Sequence, residues 1–196
     1  MRFEFSNGSY AARVIFPRDN RILAKIDTGS PVTIMSLPEL CDMLGINTKS
    51  VLDILRNFNK VPFTAYTGNG VQACPVYFRN VVVDNCAVDR FPVFVNTANV
   101  ERNMLVGSDF ISACDFVHNS SDKVIYVSKF NADEYWDNFK KQCRSTEPIE
   151  IFELVSGYTD SSDIITGDDS PEFRSKALSS LFAAAVGGLD YDRPIV

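Results

Sequence analysis

At 196 residues, 45% of them hydrophobic and 12% aromatic, the chain can bury a substantial core, as one domain or as a domain with an appendage. A formal charge of −6 with no basic stripe argues against a nucleic-acid grip. No window reaches the roughly 18 apolar residues of a membrane span, and Met1-Arg2-Phe3-Glu4-Phe5 lacks the apolar core of a signal peptide, so the expectation is a cytoplasmic protein with no membrane partner.

In chain order, Ala11 to Phe16 and Arg21 to Ile26 read as two strands joined by Pro17-Arg18-Asp19-Asn20, residue types that favour a tight turn. This hairpin delivers Asp27 at its end, followed at once by Thr28, Gly29 and Ser30. A carboxylate that leaves an apolar strand needs nearby donors to stay ionised, and backbone and hydroxyl groups of those three residues can supply them. Glycine also permits an approach that a side chain would block. Val32-Thr33-Ile34-Met35 is again β-rich, and Leu37 to Leu44 reads as a helix stopped at Gly45. A second helix is expected from Thr48 to Phe58, with Val51, Leu52, Leu55 and Phe58 on one face. This helical excursion either packs over the end of the β-structure or serves dimer contact or substrate selection.

Phe63 to Ala73 reads as two strand arms around Thr67-Gly68-Asn69-Gly70, since Asn-Gly readily takes positive φ. Val76 to Val83 and Arg90 to Val95 continue as strands with Asp84-Asn85 as their turn, and Pro92 marks part of the second as an edge. Met104-Leu105-Val106-Gly107 comes next, leading into Asp109-Phe110-Ile111, where Asp109 is expected to cap a short helix. Asp122 to Ser128 is a further strand.

Beyond residue 130 the composition changes. The last 66 residues hold 6 Lys or Arg against 13 Asp or Glu, whereas the first 130 hold 13 and 12. Ala132 to Cys143 reads as a helix with Tyr135, Trp136 and Phe139 on one side, and Ile149 to Val155 as a strand. Gly157 to Asp169 is turn-rich and acidic. A final helix is marked by Ser170, Pro171 and the stop Gly187-Gly188, with Phe173, Leu178, Leu181 and Phe182 on its apolar face. The expected division is therefore 1–130 and 131–196. The five cysteines are scattered and never form a CxxC pair, so neither a disulfide framework nor a metal site is expected.

The order of these features, an apolar strand into Asp27-Thr28-Gly29-Ser30, a glycine-bearing hairpin, and then two aliphatics and a glycine before a short helix, resembles the retropepsin-like aspartic proteases over roughly Phe3 to Val127. The fold that the resemblance implies is all-β: a closed retropepsin-like barrel with short helices, here plus an acidic α/β C-terminal extension. It implies an aspartic endopeptidase acting on peptide or protein substrates without cofactor or metal. In that family the hairpin is a flap over the substrate, which here would be Tyr66, Thr67, Gly68, Asn69 and Gly70. Tyr66 would either wall a side-chain pocket or reach the site with its hydroxyl.

There is one Asp-Thr-Gly in the chain, whereas this hydrolysis needs two carboxylates facing one water. The resemblance therefore implies a homodimer that contributes Asp27 twice, with Thr28 bracing the two turns and Ser30 donating to the carboxylate. The chain departs from retroviral members at Pro31, Val32 and Ser108, which stand where an acidic residue and an arginine pair near the dimer interface. A catalytically inactive barrel acting as a binding module through its tail is the alternative. Another reading has the tail filling the cleft as an inhibitor or cleavage site. A cysteine peptidase using His118 is a third reading, although His118 reads as part of a surface turn.

Overall fold

A computed structural model of the chain describes residues 1–56, 60–64, 70–98 and 101–151. Three antiparallel strands come first, β1 (Arg2–Ser6), β2 (Ser9–Phe16) and β3 (Asn20–Ile26). The two-residue period of β2 sends Ala12, Val14 and Phe16 into the interior, each at 0% exposure. Between β2 and β3 the chain turns through Pro17–Asp19, where proline presets the first φ and Asp19 takes a left-handed φ of 60°.

The next segment is β4 (Ile34–Ser36), α1 (Leu37–Leu44) and α2 (Thr48–Arg56). The Ser36 hydroxyl accepts from the Glu39 amide at 3.4 Å, and Gly45 ends α1 at φ 66°, a conformation that a β-carbon would strain. Leu40, Met43, Val51, Ile54 and Leu55 of these helices all join the main core, so the excursion seals that core. The described part of the second helix ends at Arg56, and Phe58 lies outside the described residues.

Strands dominate the remainder: β5 (Val61–Thr64), β6 (Gly70–Val83), β7 (Cys86–Asn96) and β8 (Met104–Val106), then α3 (Ser108–Ile111), β9 (Cys114–Asn119), β10 (Val124–Phe130), α4 (Ala132–Cys143) and β11 (Ile149–Glu150). β6 and β7 form a long ladder closed by Asp84-Asn85, with Asp84 at φ 56°. β6 also pairs with β2 through Val14↔Val83 and Ile15↔Val82. That second pairing closes β2, β3, β8, β4, β7 and β6 into a six-stranded barrel. The fold is therefore mainly β with short helices. Pro92 lies in the part of β7 that pairs with β6 alone, just before Phe94–Asn96 meets β4, so its missing N–H breaks no second ladder. β5 and β6 pair from Val61↔Ala73 to Thr64↔Gly70, which makes Gly70 the first residue of β6. Tyr66, Thr67, Gly68 and Asn69 lie outside the described residues.

Phe110 of α3 is the centre of an aromatic cluster. It stacks on Phe130 at 4.9 Å, meets Tyr135 edge-on at 5.0 Å and lies 6.5 Å from Phe3. Tyr135 comes from α4, is fully buried, and donates its hydroxyl to the Pro92 carbonyl at 2.8 Å. Farther along α4, Phe139 packs on Phe94, and β11 adds in parallel to β6 with Glu150 bound to Arg79 at 2.8 Å. Residues 131–151 thus share the barrel's core. Residues 152–196, including the acidic stretch and the expected last helix, lie outside the described residues. His118 is in strand β9 rather than in a turn, exposed and bonded to the Tyr10 hydroxyl. Among the described residues no helix is long and apolar enough to cross a membrane.

Because Phe110 is surrounded by aromatic rings, Phe110→Ala is expected to cost about 3–5 kcal/mol in urea unfolding. Leu23→Ala, at a side chain 61% exposed, is expected to change stability by no more than about 0.5 kcal/mol.

Candidate active site

The site is built where β8 runs between two strands that do not pair with each other. β8 is parallel to β3 through Lys25↔Leu105 and Ile26↔Val106, and antiparallel to β4 through Ile34↔Leu105 and Met35↔Met104. Residues 27–33, which join β3 to β4, must therefore arch over the end of β8. The Asp27 amide extends the ladder by donating to the Val106 carbonyl at 3.0 Å, and the chain then turns. The Gly29 amide donates to Asp27 Oδ1 at 3.0 Å, and the Ser30 amide to the Asp27 carbonyl at 3.1 Å. A β-carbon at Gly29 would stand 3.2 Å from that same Oδ1. Glycine there keeps the carboxylate's hydrogen-bonding side clear.

The arch is clamped from below by the residues after β8. A β-carbon on Gly107 would lie 2.3 Å from both the carbonyl carbon and oxygen of Val32 and 2.9 Å from the Ser30 carbonyl oxygen. Only a residue without a side chain permits this crossing. Ser108 adds two bonds, its amide to the Ser30 carbonyl at 2.8 Å and its hydroxyl to the Thr28 carbonyl at 3.0 Å. At the far limb, the Thr33 hydroxyl accepts from the Gly107 amide at 3.2 Å and donates to Asp109 Oδ1 at 2.9 Å.

The four predicted catalytic residues are thus together on one turn, with Asp27 and Ser30 half-buried and Thr28 and Gly29 exposed, while of the predicted flap residues only Gly70, in β6, is among the described residues. The Ser30 hydroxyl donates to the Val32 carbonyl at 2.7 Å rather than to Asp27, because the turn directs it back along the arch. The Thr28 side chain makes no hydrogen bond among the described residues and stands on the exposed side. Asp109 does not cap α3. Gly107 occupies the capping position, while Asp109 lies within the first turn and accepts from its neighbour Phe110's amide at 2.8 Å as well as from Thr33.

Two acids on neighbouring segments therefore occupy opposite environments. Asp27 is half-buried, whereas Asp109 is 4% exposed, its Oδ2 has no partner, and burial pushes its carboxyl up to about 6 against the lowering effect of the Thr33 and Phe110 hydrogen bonds. Burial likewise raises the thiols of Cys41, Cys74, Cys114 and Cys143, the last two to about 12. That is the opposite of an activated nucleophile. Thr33 is the residue that sequence reasoning missed: within Val32-Thr33-Ile34-Met35 it reads as one more strand former, and nothing local marks its hydroxyl as buried. Among the described residues no cluster of His, Cys, Asp and Glu is arranged to hold a metal ion.

No family model matches the chain, and no curated protein matches it. Among solved structures it is similar to one described as a retropepsin-like aspartic protease from Rickettsia conorii, at 16% identity and a TM-score of 0.47, over 64% of this chain and 97% of that one. At that identity and score the likeness says nothing about which residues act.

The tight crossing sets a prediction. Gly107→Ala is expected to destabilise the chain by more than about 3 kcal/mol, since backbone rather than a flexible side chain must yield. Gly29→Ala, meeting only a side-chain oxygen, is expected to lower the thermal midpoint far less.

Proposed function

We propose that the chain is a retropepsin-like aspartic endopeptidase, active as a homodimer in which Asp27 of each copy faces one water. The observation that carries this reading is the Asp27 turn. A carboxylate at the end of a barrel strand accepts the Gly29 amide, remains partly open to solvent, and is held by an arch clamped over Gly107. Such a mount keeps the acid oriented without burying it, which is what a general base must have.

One carboxylate does not suffice for this chemistry, and the exposed Asp27-Thr28-Gly29 face of the turn is where a second copy would add its own. Two such groups brought close cannot both ionise, so the pair holds one proton and titrates as a unit. The ionised Asp27 takes a proton from water as the water attacks the scissile carbonyl, while the protonated Asp27 hydrogen-bonds to the carbonyl oxygen. The roles then exchange as the leaving amine is protonated. In the dimer the free Thr28 hydroxyl would brace the opposite turn, and the hairpin tip from Tyr66 to Gly70 would close over the bound peptide. No metal or organic cofactor takes part in this scheme.

Asp27→Asn is expected to abolish cleavage of a diverse peptide library at mildly acidic pH, by roughly a thousandfold or more, while the purified chain stays folded and dimeric. An excess of this variant mixed with the parent is also expected to suppress the parent's activity through mixed dimers. Undiminished cleavage by the pure variant would discard the proposal. A parent chain that cleaves nothing and binds no transition-state mimic of peptide hydrolysis would instead favour a barrel that serves as a binding module.

A further inference from the structure

Asp109 is a buried acid that the proposed dyad does not use. Its Oδ1 accepts from the Thr33 hydroxyl at 2.9 Å and from the Phe110 amide at 2.8 Å, while Oδ2 is buried with no partner among the described residues. A buried polar atom left this way calls for an explanation. No cation among the described residues forms an ion pair with this carboxyl. The titratable groups that interact with it are Tyr135 and Cys143 of α4, and burial holds both in their neutral forms, Cys143 at about 12 and Tyr135 well above its ordinary value. Asn138 of the same helix donates to the Asp109 carbonyl at 3.4 Å. Among the described residues, the titratable groups that interact with the carboxyl are therefore neutral.

The same Thr33 hydroxyl that donates to Asp109 also accepts from the Gly107 amide, at 3.2 Å, and Thr33 ends the arch that begins with Asp27. Resting on the peptidase reading, we propose that Asp109 is a positioning residue: in its neutral form it holds Thr33, and through Thr33 the arch that presents Asp27, and its ionisation releases that hold.

The physical reason is asymmetric solvation. A neutral carboxyl has its acceptor oxygen fully used by two donors and leaves idle only the Oδ2 hydroxyl, which costs less than an idle charge. A carboxylate would spread its charge onto an oxygen that accepts no hydrogen bond from the described residues. Relief comes from hydration of Oδ2, and where α3 moves from the arch to admit it, the hydroxyl bridge from Asp109 through Thr33 to Gly107 opens. Asp109 touches no reacting atom in this scheme; it acts through the arch.

The pH dependence has a definite sign. Burial pushes Asp109 from 3.8 to about 6, so the folded chain binds this proton more tightly than the unfolded chain. The stabilisation is complete below the exposed-aspartate range and is lost as pH rises through about 6.

The test uses the full chain carrying Asp27→Asn, which removes the dyad's own titration and any self-cleavage, with and without Asp109→Asn, a mimic of the neutral acid. Between pH 4 and 6, the folding equilibrium constant of the chain that retains Asp109 is expected to fall about thirtyfold relative to Asp109→Asn in urea unfolding. In amide NMR, the Gly107 and Gly29 resonances are expected to titrate together with a midpoint near 6, and not at all in Asp109→Asn. Equal pH dependence in the two chains, or a Gly107 titration that leaves Gly29 unmoved, overturns the proposal.

In chains retaining Asp27, Asp109→Asn is expected to carry kcat to higher pH with KM unmoved, and Asp109→Leu to lower kcat at least tenfold at pH 5. Should Asp109→Leu not fold, Thr33→Val removes only the bridging hydroxyl and is expected to give the same loss; an undiminished kcat in Thr33→Val rejects the proposal. If the parent cleaves no peptide, the peptidase reading fails on that result, while the unfolding and NMR measurements still decide whether Asp109 positions the turn.

Discussion

The structure depends on one backbone crossing. Residues 27–33 pass over the end of β8 at a distance that leaves no room for a β-carbon on Gly107, and hydrogen bonds at Ser108 and Thr33 tie the arch to the segment that runs from β8 into α3. β3 and β4 are held in one barrel only because β8 lies between them, so the contact that shapes the site also closes the sheet. The candidate site and the fold are joined at this point: the turn that carries Asp27 is tight where the barrel closes.

The two acids beside this crossing show how differently one fold can house like groups. Asp27 sits on the outer side of the arch, with an amide donor and access to solvent. Asp109 sits beneath it, buried, where the neutral carboxyl is favoured more than in water. Neither environment follows from the residue type alone.

The segment beyond residue 130 belongs energetically to the barrel, at least through residue 151. Tyr135 completes the aromatic cluster around Phe110, its hydroxyl occupies the Pro92 carbonyl, and Phe139 fills the smaller cluster with Phe94, Val32 and Val61. Val32 lies in the arch itself. α4 therefore supports the candidate site from behind, and truncation at the change in composition would uncover apolar rings beside the crossing.

Local signals were legible without coordinates because they depend on a few consecutive residues. Gly45 ends a helix since it tolerates positive φ; Asp84-Asn85 turns a hairpin; Asp27-Thr28-Gly29 announces a carboxylate on a turn. The order of these signals was enough to suggest the barrel. What only the tertiary structure decided were the relations between distant segments: that Thr33 bonds to Asp109, 76 positions away, that Ser30 turns its hydroxyl to Val32, and that Cys114–Asn119 and its His118 form a strand. Composition marked residue 130 as a boundary, yet the burial of Tyr135 carries the core across it. A side chain's partner across the barrel is chosen by closure of the sheet, and closure is a property of all six strands at once that no short window of sequence contains.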